Sequence, residues 1–337
     1  MKDMSAIYLK HIELKGLFGY RNVSWNVHQD LNILGGGNGV GKSTLFHICY
    51  SLIGFGYISD SRYVQKVESV KLAFTNGWTL VWDKQDVNPN FKPQKGYSYH
   101  DVDNGKINAD GKNVVQRTRA LDAEGNVVNP DDLIKMVPTD FLSSFEQAIL
   151  DSQKIMKDEK SADRTYLDVL LTENIGYRNM KLSQILINSY THPEDIEEEN
   201  ELRPYFITAK DANYLTLFNR ALLTFFGDDY MIKAGMEAQI TMINKKTHKE
   251  IPYQDLSLGE KEVLLLILRV SNTFDKPVIV WLDEPDLGLH VDWQVKLVGC
   301  LKSLNPNVQL FISTHAPSMV EGNFEKVSEM SLLTTEG

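Results

Sequence analysis

"LNILGGGNGVGKSTLF", residues 31 to 46, runs an apolar strand into a glycine-crowded turn, then Lys42, Ser43 and Thr44, then a second apolar run. The pattern G-x-x-x-x-G-K-S is met by Gly36, Gly41, Lys42 and Ser43. Glycines let a backbone curl so that several N–H groups face inward at phosphate oxygens. A helix starting at the turn adds its positive end. In such a loop Lys42 reaches the β- and γ-phosphates as a point charge, and the Ser43 hydroxyl is placed to ligate Mg2+. Asn38, Gly39 and Thr44 are expected to add contacts. A strand before the turn and a helix after it is the context this loop requires.

A second apolar run, "VIVWLDEP", ends in Asp283 and Glu284. A continuous run rich in β-branched residues is expected for a parallel strand buried on both faces. Carboxylates at its C-terminal end emerge where ligands bind in open α/β sheets. Asp283 is expected to hold Mg2+, and Glu284 to polarise the attacking water. A third run, "VQLFIS", leads into "THAP" with His315. A lone histidine there could be structural, but its place after a second buried strand favours a functional one.

Elsewhere the pattern is mixed. The N-terminal segments "AIYLKHIELKG" and "NVSWNVHQDLNIL" alternate like strands. "VKLAFTNGWTLVWDK" is two alternating runs joined by Asn76-Gly77, a hairpin signal. An antiparallel sheet is expected over residues 67 to 130. From 139 to 235 the spacing reads as helical, as in "DFLSSFEQAILDSQKIM" and "DANYLTLFNRALLTFFG". Three parts are therefore expected: residues 1–138 with the phosphate loop and β-meander, a helical insertion at 139–235, and 236–337 with the carboxylate strand and His315. The fold class expected is α/β, with a mixed central sheet, an antiparallel meander and a helical lobe.

The chain has 337 residues and a formal net charge of −10, which argues against broad nucleic-acid binding. A local groove containing Lys154, Lys157, Lys160 and Arg164 is the alternative to a solvated helix face. Both cysteines, Cys49 and Cys300, lie in apolar runs without partners at metal spacing, so buried hydrophobes and a reducing compartment are expected. The start does not read as a signal peptide, and no apolar run is long enough to span a bilayer. A cytoplasmic protein with no membrane partner is expected.

Between the loop and His315 stands "LSLGEK", Leu256 to Lys261. Alone it reads as a helix cap. In the order phosphate loop, LSxGE signature, DE-terminated strand and histidine, the chain resembles the ABC-type ATPases. "LSLGEK" is similar to the form in SMC, RecF and OLD-type proteins rather than the LSGGQ of transporters. "DEPDLGLH" resembles the DEPExHLHP element of OLD-type phage-defence ATPases and departs from it at Asp286, Gly288 and Val291. "IELKGLFGYRNVSW" is similar to the start of that group, where Phe18 or Tyr20 would meet adenine and Arg21 a phosphate; a core aromatic and a surface arginine are equally open there.

The resemblance implies an ABC-type ATPase head hydrolysing ATP with Mg2+. It implies two copies closing head to tail. Ser257 and Gly259 of one would contact the γ-phosphate held by the other, with Asp286 coupling the two sites and His315 sensing the γ-phosphate. It also implies a glutamine ligand for the metal, with Gln147 preferred over Gln153. No long coiled coil and no CxxC hook are present in the sequence. The chain ends soon after the His315 strand, so no room is expected for the nuclease domain fused to OLD heads. The expectation is a homodimer or larger assembly controlling a separate effector, a nuclease or toxin, in bacterial anti-phage defence. The alternatives are a RecF-like DNA-repair ATPase and, third, a transporter ATPase subunit.

Overall fold

The computed structural model describes residues 6–88, 91–102, 112–143, 165–191, 209–234 and 240–336. In chain order the first elements are β1 (Leu9–Leu17), β2 (Arg21–Asn26), β3 (Leu31–Gly35), α1 (Lys42–Phe55) and α2 (Ser61–Val64). Next come β4 (Ser69–Phe74), β5 (Thr79–Val87), β6 (Ser98–Asp101), β7 (Asn113–Leu121), β8 (Val127–Val128), α3 (Pro130–Met136) and β9 (Thr139–Ser143). Then follow α4 (Tyr166–Thr191), α5 (Ala209–Phe226), β10 (Tyr230–Ala234), β11 (Ile240–Asn244), β12 (Glu250–Ile251) and α6 (Leu258–Ser271). The last are β13 (Val278–Asp283), α7 (Val291–Leu304), β14 (Val308–Ser313), β15 (Val327–Glu329), α8 (Met330–Leu333) and β16 (Thr334–Glu336).

Two compact units result. The first contains residues 1–143, 277–285 and 307–337; the second contains 144–276 and 286–306.

The first unit holds two sheets. One is parallel, in the order β15-β3-β14-β13-β9. Every residue of β13 and β14 is buried, as their apolar runs require. The other is an antiparallel sheet in the order β16-β2-β1-β4-β5-β7-β6, with β8 on β7. The hairpin expected at Asn76-Gly77 joins β4 to β5. Gly77 has φ 85°, and the Asn76 side chain accepts from the Trp78 N–H at 3.1 Å.

The core of this unit lies under α1. Phe46 meets Trp281 edge-on at 5.2 Å, and Trp281 stacks on Phe311 at 4.1 Å. Two buried glutamines tie the strands together. Gln309 of β14 bonds the Leu9 N–H and carbonyl and the His28 carbonyl. Gln116 of β7 bonds the Ile58 N–H and carbonyl and the Trp82 indole. Cys49 is buried here and unpaired, and burial pushes its thiol up.

The helical reading of residues 139 to 235 needs correction at both ends. Thr139–Ser143 is the edge strand β9, in register with β13 from Ile279↔Thr139 to Asp283↔Ser143. Five residues of ambiguous periodicity followed Pro138, and pairing with a buried neighbour decided them. Tyr230–Ala234 is β10, paired with β11.

The second unit packs α4, α5, α6 and α7 beside the three-stranded sheet β10-β11-β12. Helix α6 is buried along almost its whole length, from Lys261 to Leu268. Cys300 of α7 is buried and unpaired.

Candidate functional site

Strands β3, β14 and β13 are neighbours and all parallel, so their C-terminal ends open on one edge. That edge gathers the glycine turn, His315 and the carboxylate pair. The turn is left-handed at Gly36 (φ 139°), Gly39 (φ 73°) and Gly41 (φ 105°), which is why glycine occupies these positions. At Gly41 a Cβ would also stand 2.9 Å from the Phe18 ring. Gly41 caps α1, and among the described residues no side chain hydrogen-bonds that cap.

Lys42 is 4% exposed and folds back over the loop. Its ammonium donates to the carbonyls of Gly36 (2.9 Å) and Gly37 (3.1 Å) and to His315 Nε2 (2.7 Å). An ammonium has no lone pair and can only donate, so in this contact Nε2 is the acceptor. His315 Nε2 also lies 3.5 Å from Glu284 Oε1. Thr44 is buried in the first turn of α1.

The Ser43 hydroxyl donates to Asp283 Oδ1 at 3.0 Å. Ser313, in register with Asp283, donates to the same oxygen at 2.5 Å. The Glu284 N–H reaches the Ser313 carbonyl (3.0 Å) and hydroxyl (3.2 Å). Glu284 itself has φ 51°, a left-handed conformation rare for a side chain other than glycine. Ser313 therefore holds the Asp283 carboxylate and the Glu284 backbone, and motif reading missed it. The signal was a serine closing a strand buried along its whole length.

Around the turn, the Arg21 guanidinium donates to the Val40 carbonyl at 3.3 Å and lies over the Tyr20 ring at 4.9 Å. Phe18 packs against the core, while Tyr20 is exposed.

In the second unit the signature stretch opens α6. Ser257 is its N-cap and forms a reciprocal box with Glu260. The Ser257 hydroxyl accepts from the Glu260 N–H at 3.4 Å, and Glu260 Oε2 accepts from the Ser257 N–H at 2.7 Å. Tyr230 donates to Glu260 Oε1 at 3.0 Å; burial and Glu260 push its phenol up to about 12. A Cβ at Gly259 would stand 2.6 Å from the Gly288 carbonyl, so only glycine lets the 286–289 turn lie this close. That turn is held by Gln294, which donates to the carbonyls of Asp286 and Leu289. Glu262 faces Gly288, is 7% exposed, and its Oε2 has no hydrogen-bond partner among the described residues. Burial pushes its carboxyl up to about 7.

Gln147, Gln153, Lys154, Lys157, Lys160 and Arg164 lie outside the described residues. Among the described residues no cluster of three His, Cys, Asp or Glu side chains could hold a metal, and no helix is long and apolar enough to cross a membrane.

A family model described as "AAA domain, putative AbiEii toxin, Type IV TA system" matches residues 92–321. The chain belongs to this AAA-domain family. The match takes in the signature, the carboxylate strand and His315, and begins after the phosphate loop. Septu protein PtuA of Bacillus thuringiensis is 22% identical, over 94% of this chain and 73% of that protein. The retron Ec83 probable ATPase of Escherichia coli is 27% identical over 49% of this chain, and the retron Vc95 probable ATPase of Vibrio cholerae is 28% identical over 53%. Of those two the chain spans 31% and 35% of the length. Among solved structures it matches SMC head domains, one of them bound to the C-terminal winged-helix domain of ScpA, at 16% identity and a TM-score of 0.48, over 93% of this chain and 91% of that one. The family and its relatives bear out the resemblance to ABC-type ATPases of the SMC, RecF and OLD branch.

Proposed function

We propose that this AAA-domain protein is a Mg2+-dependent ATP hydrolase whose two copies close head to tail around ATP, as a switch controlling a separate effector, a nuclease or toxin, in anti-phage defence. The convergence of Lys42, Ser43, Asp283, Glu284 and His315 at one edge of the parallel sheet carries the hydrolase reading.

Lys42 exchanges its loop carbonyls for phosphate oxygens, while the backbone N–H groups of 36–44 and the start of α1 hold the remaining charge. Ser43 and Asp283 present two hard oxygens in contact, a donor set suited to Mg2+, which at neutral pH neutralises phosphate charge and favours cleavage. Glu284 takes a proton from the water whose oxygen attacks the γ-phosphorus; the bond to the β-bridging oxygen breaks and ADP leaves. Ser313 aims the Asp283 carboxylate and fixes the backbone of Glu284. His315 donates to the γ-phosphate and loses that contact after cleavage.

Two features support closure by a second copy. Ser257 and Gly259 stand at a helix N-terminus, where N–H groups attract an anion. The apolar side chains beside them, Leu258 and Leu287, are exposed, as is Val291 at the start of α7. The defence role and the effector are supported by the Septu and retron relatives and by the OLD-like motif forms.

Sedimentation of the Glu284→Gln variant tests the switch. ATP with Mg2+ should convert it to a stable dimer, and Lys42→Ala should abolish that conversion. Turnover by a strict monomer at all concentrations overturns the reading.

A further inference from the structure

Within the signature, Lys261 points into the second unit and is 8% exposed. Its ammonium lies 2.8 Å from Asp168 Oδ1 on α4, with the two side chains 10% and 3% exposed. The contact is an ion pair. Asp168 is held from its other side, where Oδ2 accepts from the Thr165 N–H and hydroxyl at 2.9 and 2.8 Å. Burial pushes the Asp168 carboxyl up, but Lys261 and Thr165 outweigh it and hold the group below the usual carboxylate range.

One helical turn further on, Thr172 meets the Tyr253 hydroxyl at 2.6 Å. Residues four apart share a helix face, so Asp168 and Thr172 present one face of α4 to the stretch containing the signature. Tyr253 precedes Ser257 and Lys261 follows Gly259, so the two ties bracket the residues between them. A third contact, from the Asn272 side chain to the Asn174 carbonyl at 3.1 Å, fixes the far end of α6 to the same helix. A buried ion pair is a directional restraint, because breaking it leaves an uncompensated charge.

We propose that Asp168 and Thr172 of α4 are positioning residues for the signature. They hold Ser257 and Gly259 in the orientation that receives the phosphate presented by a second copy, so a shift of α4 opens or closes that half of the site. The inference rests on the head-to-tail reading and names its regulatory element.

The test is ATP-driven self-association in the Glu284→Gln background, with fluorescent-ATP affinity measured at protein concentrations below association. Asp168→Asn should weaken association at least about 10-fold and leave single-copy nucleotide affinity unchanged. Pairing it with Lys261→Gln, which rebuilds the contact as a neutral hydrogen bond, should restore most of the loss. Tyr253→Phe should weaken association by about 3-fold. Failure of Glu284→Gln itself to associate overturns the head-to-tail reading and this inference together. If Glu284→Gln associates and Asp168→Asn does so equally well, only the inference falls. It falls equally if the paired variant fails to recover, or if nucleotide affinity drops in parallel. Should Asp168→Asn not fold, Tyr253→Phe decides, and unchanged association overturns the proposal.

Discussion

Lys42 Nζ lies 2.7 Å from His315 Nε2, so the lysine of the glycine turn is docked on the histidine that follows β14. The same ammonium holds the carbonyls of Gly36 and Gly37. A phosphate must compete with these acceptors for the lysine, whereas the histidine has to turn from acceptor to donor to meet a phosphate.

The two roles of His315 separate in kinetics. His315→Ala removes one competing acceptor of Lys42 together with one donor to the γ-phosphate, so affinity for a non-hydrolysable ATP analogue should change by less than about 3-fold. Turnover should fall by about 100-fold, the scale for losing one donor aimed at transition-state charge. Calorimetric binding beside steady-state hydrolysis checks this. Weakened binding with unchanged kcat would instead make His315 a ground-state contact.

Glu284 carries a backbone cost at φ 51°. A left-handed residue with a Cβ costs about 1–2 kcal/mol relative to glycine. Glu284→Gly should therefore be more stable than Glu284→Ala by about 1 kcal/mol, while both lose hydrolysis. Denaturant midpoints rank the pair. Equal midpoints would show that the backbone relaxes once the carboxylate is gone, and that the strain belongs to the side chain's placement.

Gln116 predicts a stability effect far from the nucleotide edge. It satisfies the Ile58 N–H (2.8 Å), the Ile58 carbonyl (3.0 Å) and the Trp82 indole N–H (3.0 Å) while only 3% exposed. Gln116→Leu keeps most of the volume and strands these groups. The expected loss is about 3 kcal/mol, the sum of more than one unpaired buried donor. Urea unfolding measures it, and a loss below about 1 kcal/mol would mean that water replaces the amide.

The loop, the carboxylate strand and the histidine were legible because each joins a buried strand to a turn, and such runs have strong local signals. Gly36 to Thr44 and Asp283–Glu284 fall where the motif spacing put them. Strand β9 was not legible, since five residues after Pro138 take their state from the neighbour they pair with. Ser313 escaped for a similar reason: its role comes from standing in register with Asp283, a relation across strands that spacing along the chain does not encode. Lys261 read as part of a signature, yet its partner Asp168 is distant in sequence and neither residue is unusual alone.

Glu262 gives the second unit a pH dependence of definite sign. Burial raises its folded-state pKa from 4.5 to about 7, and among the described residues Oε2 has no partner to offset this. The folded protein then binds a proton more tightly than the unfolded chain between those values. Its contribution is fully present below the unfolded pKa and is lost as pH rises through about 7. Glu262→Gln keeps the shape and removes the titration. Its stability should match the parent near pH 4.5 and exceed it at pH 8 by about 1–3 kcal/mol, the upper end being the full conversion of the shift and the lower a partly solvated carboxyl. Because the side chain faces the turn that follows Asp286, the parent should also loosen that turn at alkaline pH, visible as faster amide exchange over residues 286–289. A stability difference that stays constant from pH 5 to pH 8 would mean that Glu262 is ionised throughout and finds a partner in solution.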